Sequence, residues 1–543
     1  MLTLIVAIGI LLRFWSLGST ELIHDEGLDM FRSVGYLDYL DSAAQSTPVQ
    51  WFTNTSLPWW TSLSFHDGPP LFFAIQYIFF SVFGESLLVA RLPSALSGVG
   101  SIILIFAVIR RSLRSDVAAL IGAGVLSVNF AHIWISRIAI LESLVIFFAL
   151  LNIYFFLRFI DDRRKWIWFG ATLGLVFLIK YTAIFLIPVY AAYLVSFRRD
   201  VLSGRHLYYA LLIAVILLSP VIVYNIGLFY SFGHFDLQIA SLLHQQMPQW
   251  QGASGKTQEP FSNIVENLLS LYSIPLLLLI FFGVISALCI RYFVSASQQV
   301  LRPMRLFVFG LFVSTTLMLV FVGSAIRFTA LFAVPGAMAI AMLVFIFLEL
   351  YRQMPRQWIK ISGIVLFATF FLYESYFAIS TARFIYAADF GVLALDRYFD
   401  EQFSDARPPG LPQHPNPHLD AVIQKYAKNI PNTLPPAGII YDENTGLAHS
   451  LWLFSRRQFY HGIPIMPASE FEMILQKNGF AAFSGFTLYV VRADQGAPLT
   501  HGARTRSAEH IEQLLREKLR LSPDRTITDD QGAAAFRVYK FSI

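Results

Sequence analysis

His24, Asp25 and Glu26 follow the first apolar segment and open a polar loop. Carboxylates beside a membrane are costly and need a partner or a task. Asp25 and Glu26 could act as a general base or orient the nucleophile of an acceptor, and together with His24 they offer ligands for a hard or borderline cation. They could equally form the acidic start of a helix running through Met30, Val34 and Leu37, because carboxylates favour helix N-termini. A second acid and a cation, Glu142 and Arg137, lie between two later apolar runs, where they face the same side as Asp25 or pair to end two helices. Lys180, followed by Tyr181, and Arg327 stand nearly alone at the ends of apolar runs. A phosphate or diphosphate substrate would need such cations, and arginine grips phosphate with two parallel bonds; snorkelling to the interface is their structural use. His66 and Asp67 precede Pro69-Pro70 and would bind polar substrate groups or cap the next helix. His234 and His244 read as polar loop residues.

Other chemistries are absent from the pattern. No H-E-x-x-H zinc spacing, phosphate-binding loop or dinucleotide fingerprint occurs, so ATP- or dinucleotide-driven chemistry is not expected. The single cysteine, Cys289, excludes a disulfide within the chain and a thiolate metal site. The net charge of +5 is scattered over short loops, which argues against nucleic-acid binding.

The elements that must hold these residues are membrane helices. The 543 residues are 56% hydrophobic and 14% charged, with a mean hydropathy of +0.58, against about 25% charged residues in a soluble domain. Apolar runs lie near 1–17, 69–83, 92–109, 117–135, 143–160, 166–179, 183–197, 207–224, 266–290, 306–323, 329–348 and 361–378. The first lacks a basic leader and a cleavage site, and is read as a retained helix. Basic clusters at Arg110-Arg111, Arg163-Arg164-Lys165, Arg198-Arg199, Arg302 with Arg305, and Arg352 with Arg356 and Lys360 mark cytoplasmic loops. The loop at 19–68 is acid-rich and belongs outside. That is consistent only if 69–83, short and opened by Pro69-Pro70, lies along the outer face. About eleven spans result, with the amino terminus cytoplasmic and the carboxyl terminus outside a plasma or inner membrane. The pair of short runs around Lys180-Tyr181-Thr182 is expected to present the lysine outside.

The fold class is therefore mainly α: a transmembrane domain over 1–380, a linker over 381–418 that includes the Pro-rich Arg407–Pro412, and a small extracytoplasmic α/β domain over 419–543. Its strands are expected at Gly438–Tyr441, Phe486–Val491 and Phe536–Tyr539, and its helices near 418–430, 446–455, 468–477 and 507–519. The loop 225–265, with Gln251–Gly255 at its centre, reads as a lid or connector. No internal repeat is evident, and Gly170-x-x-x-Gly174 reads as a helix-packing spacing.

Taken in order, the acidic pair, Gly68-Pro69-Pro70-Leu71-Phe72-Phe73, Phe83-Gly84-Glu85, Ala90-Arg91-Leu92-Pro93-Ser94-Ala95, Ser136-Arg137 with Glu142, Lys180-Tyr181-Thr182, and Arg327-Phe328 before Pro335 resemble the GT-C superfamily of membrane glycosyltransferases. The nearest branch holds protein O-mannosyltransferases and aminoarabinose transferases, and the resemblance covers roughly 1–350. It implies a polyprenyl-phosphate-linked sugar donor and an acceptor lipid, protein or glycan. It makes Asp25 the base or acceptor-orienting carboxylate and Glu142 a second acid, where many relatives have Asp. Lys180 and Arg327 then meet the donor phosphate. Gly68 stands where relatives often have Lys or His, which shifts any phosphate contact there to His66 or another cation. The branch is generally metal-independent, and inversion at the anomeric carbon is expected by analogy. A transporter or lipid-sugar flippase is the competing class, but its acids would lie at midplane between paired repeats.

Overall fold

Long apolar segments in a bilayer must satisfy every backbone polar group internally, and helices are how a single segment does so. The computed structural model is accordingly mainly helical; the structure describes residues 1–39, 47–52, 55–247, 261–289, 298–352, 357–386, 389–403, 416–427, 437–500 and 504–543. Gln251–Gly255 and Arg407–Pro412 lie outside the described residues. The chain divides into two units: Met1–Leu17, Trp60–Ile75 and Leu88–Arg383 form the first, and Gly18–Trp59, Gln76–Leu87 and Phe384–Ile543 the second.

Six described helices in the first unit are long and apolar enough to cross a membrane, and eight do so if two bent pairs each count as one span. The expected eleven would also require shorter helices such as Leu2–Phe14 and Tyr181–Phe197 to cross. Leu71–Phe83, expected along the surface, is among the short ones with 13 residues.

Two runs expected as single spans are broken. Asp116–Val128 and Phe130–Arg137 meet at 56°, because the Asn129 side chain accepts the N–H of His132 at 2.9 Å and starts a new helix. Phe261–Leu271 and Ile274–Leu288 meet at 116°. There the Ser273 hydroxyl accepts the N–H of Leu276 at 3.1 Å, and Pro275 can neither donate a helical hydrogen bond nor tolerate the carbonyl four residues before it.

A break within an apolar helix orphans carbonyls, and arginines answer for them. Buried Arg13 donates to the carbonyls of Leu126 and Ser127 at 3.1 and 3.0 Å, and contacts His132 Nδ1 at 2.6 Å. Arg137 in turn donates to the carbonyls of Leu12 and Arg13 at 3.1 and 3.3 Å, at the end of Leu2–Phe14. The Gly170 spacing does what it suggested: Trp166–Ile179 packs on Arg205–Phe232 so closely that a Cβ on Gly170 would lie 2.2 Å from the Ala210 carbonyl oxygen.

The second unit holds a five-stranded sheet of order β2-β1-β3-β5-β4, with β1 Ala437–Tyr441, β2 Ile465–Pro467, β3 Thr487–Ala493, β4 Arg525–Thr528 and β5 Ala534–Ser542. β1 pairs in parallel with β2 and β3, while β5 runs antiparallel to β3 and β4. The three expected strands are β1, β3 and β5; β2 and β4 are short and carry little pattern. Helices Ala468–Asn478 and Ser507–Lys518 lay Phe471, Ile511 and Leu515 on Ile440, Leu488 and Val490 to close the core.

The division of the chain differs from the expected boundaries. Within the stretch read as a linker lies a helix, Val392–Phe403, with Val392, Leu395 and Phe399 buried. Its first N–H groups, with that of Phe390 before it, meet a carboxylate from the first loop: Glu21 accepts from Phe390, Val392 and Leu393 at 3.0, 3.2 and 3.2 Å. Asp396 on the same helix accepts from Trp452 Nε1 at 3.0 Å and from Arg456 at 2.9 Å. The loop helix His24–Gly35 also packs within this unit, where a Cβ on Gly27 would fall 2.1 Å from the Ala448 oxygen. The first loop and the carboxyl-terminal region thus share one core.

Candidate active site

The first unit gathers three of the singled-out residues. Glu142 lies in the first turn of Leu141–Asp161, where the helix dipole favours an acid. Lys180 is extended, between the end of Trp166–Ile179 and the 3₁₀ turn Tyr181–Phe185. Arg327 lies in the short helix Ile326–Thr329. Lys180 Nζ reaches Glu142 Oε1 at 2.6 Å and Arg327 Nε reaches the same oxygen at 3.4 Å. Both cations also meet one ring: Lys180 Nζ is 4.6 Å and Arg327 Cζ 5.1 Å from the centroid of Phe328. The Glu142 side chain is 2% exposed and that of Arg327 30%. One buried carboxylate oxygen therefore holds two cations, of which Arg327 is the more exposed.

The local chain explains why both cations lie outside the long helices. Pro188 and Pro335 are each the third residue of an α-helix, in Leu186–Phe197 and Ala333–Arg352. A proline there blocks continuous α-helix through the preceding turn, and in both places a 3₁₀ turn fills the gap. The two segments prove to be copies of one pattern. Ile179-Lys180-Tyr181-Thr182-Ala183-Ile184-Phe185-Leu186-Ile187-Pro188 matches Ile326-Arg327-Phe328-Thr329-Ala330-Leu331-Phe332-Ala333-Val334-Pro335. Isoleucine, threonine, alanine, phenylalanine and proline coincide, and the cation and aromatic positions are conservative pairs. The expectation of no internal repeat misses this short one, which was the available signal that Lys180 and Arg327 act together.

Tyr181, next to Lys180, has a carboxylate partner of its own. Its hydroxyl donates to Asp236 Oδ2 at 2.6 Å. Asp236 also accepts from Asn225 Nδ2 at 2.9 Å and from the N–H groups of Gln238 and Ile239 at 3.1 and 3.0 Å, at the start of Leu237–Leu242. Burial pushes its carboxyl above the usual range, while the Tyr181 hydroxyl and the Ile239 N–H oppose that shift. Asp236 and Asn225 carried no sequence signal beyond being polar beside an apolar run. His66 and Asp67 meet the same loop through their backbone: the His66 carbonyl accepts from Leu237 at 2.7 Å, and the Asp67 carbonyl accepts from Gln238 Nε2. His66 itself is buried. His234 Nδ1 lies 2.7 Å from the Phe235 carbonyl, and His244 ends the same short segment.

Asp25 and Glu26 belong to the second unit. Glu26 is fully buried and its carboxylate accepts the N–H of Ile23 at 3.0 Å. The acidic pair does open a helix, but the N-cap is Ile23 and not Asp25, and the bond to the helix start comes from Glu26 at its third position. Asp25, in the first turn of the same helix, is half-buried. Arg137 serves the carbonyls of the first helix, as described above. Among the described residues no group of three or more His, Cys, Asp or Glu side chains could hold a metal ion.

Comparison with known proteins bears on the whole arrangement. Residues 67–224 match the family model for dolichyl-phosphate-mannose-protein mannosyltransferase. The fold is similar to that of ArnT from Cupriavidus metallidurans bound to undecaprenyl phosphate, with a TM-score of 0.54 and 15% identity over 99% of this chain and 97% of that one. It is also similar to the apo oligosaccharyltransferase of Archaeoglobus fulgidus, with a TM-score of 0.52 and 15% identity over 91% of this chain and 69% of that one. The same archaeal enzyme, AglB, in complex with an inhibitory peptide and a dolichol-phosphate, gives a TM-score of 0.50 and 14% identity over 90% of this chain and 68% of that one. No curated protein sequence matches the chain. From the family model over its membrane helices and the fold along its length, the chain is a multi-pass membrane protein with the fold of the GT-C superfamily of membrane glycosyltransferases.

Proposed function

We propose that the protein is an integral-membrane glycosyltransferase that moves a sugar from a polyprenyl-phosphate donor to an acceptor on the extracytoplasmic face. The observation that carries this reading is the pairing of Lys180 and Arg327 on buried Glu142. A lipid phosphate must be met at the bilayer edge, and as the sugar leaves, charge grows on the phosphate oxygen. Fixed cations in a low-dielectric setting stabilise that charge far better than water would. Glu142 orients both cations beside the Phe328 ring, and their N–H groups would meet the phosphate oxygens. Two relatives of the same fold have polyprenyl phosphates in their structures, undecaprenyl phosphate in ArnT and dolichol-phosphate in AglB, which supports the donor class.

In the reaction the acceptor hydroxyl oxygen attacks the anomeric carbon. The bond from that carbon to the phosphate oxygen breaks, its electron pair stays on the phosphate, and the hydroxyl proton passes to a carboxylate. Resemblance to the superfamily gives that last role to Asp25. The donor sugar and the acceptor belong to experiment. The test is sugar transfer by the purified protein in lipid nanodiscs, using polyprenyl-phosphate sugars as donors. Asp25→Asn is expected to abolish transfer, and Lys180→Ala or Arg327→Ala to lower it roughly 10²–10³-fold, all with unchanged expression. Near-normal transfer by Lys180→Ala and Arg327→Ala would refute the assignment of the phosphate site.

A further inference from the structure

The second unit contains a cavity of about 650 Å³ that the reaction above does not use. Its position follows from the topology of the sheet. β1 lies between β2 and β3, and all three are parallel. The chain leaves β1 toward β2 on one side, and leaves β3 toward β4 and β5 on the other. The carboxyl ends of β1 and β3 are therefore a topological switch point, where neighbouring loops part and leave a crevice. Asp442, just after β1, and Arg492 to Gln495, at the end of β3, line the cavity. Its volume falls within the range typical of small-molecule sites.

The crevice is built, not incidental. Asp442 is buried and accepts the N–H groups of Asn444 and Ala493 at 3.0 and 3.1 Å, which ties the two strand ends together. Asn444 in turn donates to the Thr505 carbonyl at 2.9 Å and accepts its N–H at 3.0 Å, which fixes the outer wall. Helix Ser507–Lys518 starts at that wall, and its N-cap Arg506 and first-turn Glu509 both line the cavity.

The charges point to the ligand. Four guanidiniums, Arg492, Arg504, Arg506 and Arg537, line the space against three carboxylates, Asp442, Asp494 and Glu509. Arg492 and Arg537 are neutralised internally: Arg537 meets Asp494 at 3.0 Å and Glu512 at 3.1 Å, and Arg492 meets Glu512 directly. Arg504 and Arg506 are exposed, and neither side chain has a hydrogen bond or ion partner among the described residues. Two forked donors left over beside a helix amino terminus suit a phosphate or carboxylate. Of the remaining lining, Asn444, Gln495, Thr505 and the carboxylates suit hydroxyl groups, and the apolar part is three alanines and Leu499, with no aromatic ring. We propose that this crevice binds a saccharide carrying a phosphate or carboxylate, as the acceptor or a part of it. The acceptor role rests on the glycosyltransferase reading, whereas the binding itself does not.

The experiment is calorimetric titration of the full chain in nanodiscs with glucose 6-phosphate, glucuronate, glucose and inorganic phosphate. A phosphorylated or carboxylated sugar is expected to bind at least tenfold more tightly than glucose and than inorganic phosphate, and the stronger of the two names the anion. The double substitution Arg504→Gln with Arg506→Gln, on exposed side chains, is expected to weaken that binding at least tenfold while leaving undecaprenyl-phosphate binding unchanged. Equal binding of sugar and phosphate sugar, binding of inorganic phosphate as tight as that of the sugar phosphate, or an unaffected double variant would each overturn the proposal. Loss of undecaprenyl-phosphate binding is tested separately with Lys180→Ala, so failure of the crevice and failure of the donor site give different patterns.

Discussion

Glu142 shows how one buried atom can organise a site. A carboxylate taken out of water is tolerable only with partners, and here two cations share one of its oxygens. Removing the negative charge leaves Lys180 and Arg327 facing each other across Phe328. Glu142→Gln is therefore expected to destabilise the protein by roughly 3 kcal/mol or more, read as a lower melting temperature in detergent. Glu21 is a second buried acid with another logic. Burial, then a hydrogen bond with Asp389, raises its pKa from 4.5 to about 7, against the opposing N–H of Leu22. The folded state thus holds this proton more tightly than the unfolded chain. Its contribution is fully present below about pH 4.5 and is lost as pH rises through about 7. The difference is worth at most about 3 kcal/mol. Melting curves between pH 4.5 and 7.5 are expected to show this loss in the wild type and a flatter profile in Glu21→Gln.

Elements in this protein are set as much by their interruptions as by their apolar faces. Asn129, Pro188, Pro275 and Pro335 each stand at or near the start of a helix that follows a break. Hydropathy windows average over a single residue, so the bends of 56° and 116° were invisible to run length, although the capping side chains and prolines were there to be read. Close packing is equally specific. Gly170 lets Trp166–Ile179 lie against the backbone of Arg205–Phe232, and that first helix ends directly at Lys180. Gly170→Val would force the helices apart. Overpacking of this kind costs about 1–3 kcal/mol, and the expected result is a lower melting temperature together with weaker donor binding. Normal binding in that variant would show that the lysine does not depend on the helix contact.

The molecule as a whole is assembled from non-contiguous chain. The second unit takes Gly18–Trp59 and Gln76–Leu87 together with Phe384–Ile543, so the loop bearing Asp25 is not an independent segment. Tyr460 donates its hydroxyl to the Phe31 carbonyl at 2.9 Å, and Glu21 accepts N–H groups from the helix at 392–403. Ending the chain at Arg383 removes these partners. Arg32, fully buried in the intact protein, is then expected to become a site of rapid tryptic cleavage, while full-length protein stays resistant there; peptide mapping by mass spectrometry distinguishes the two. A truncated chain still protected at Arg32 would show that the loop folds without the carboxyl-terminal region.

The sequence alone determined the kind of molecule: apolar runs long enough to fill a bilayer, basic and acidic loops in alternation, three of the strands, and the lone cations Lys180 and Arg327. These are local properties, set by hydrophobic burial and backbone periodicity, and they survive in one dimension. It left Asp25 and Glu26 with two jobs each, placed Asp236 in a polar loop without a task, and missed Asn225 and the helix inside the supposed linker. Only the tertiary structure decided that Glu142 holds both cations and that Glu21 caps a helix far along the chain. Such assignments depend on which buried charge finds which partner. The low dielectric makes that choice compulsory, but the chain's order does not encode it in any local pattern.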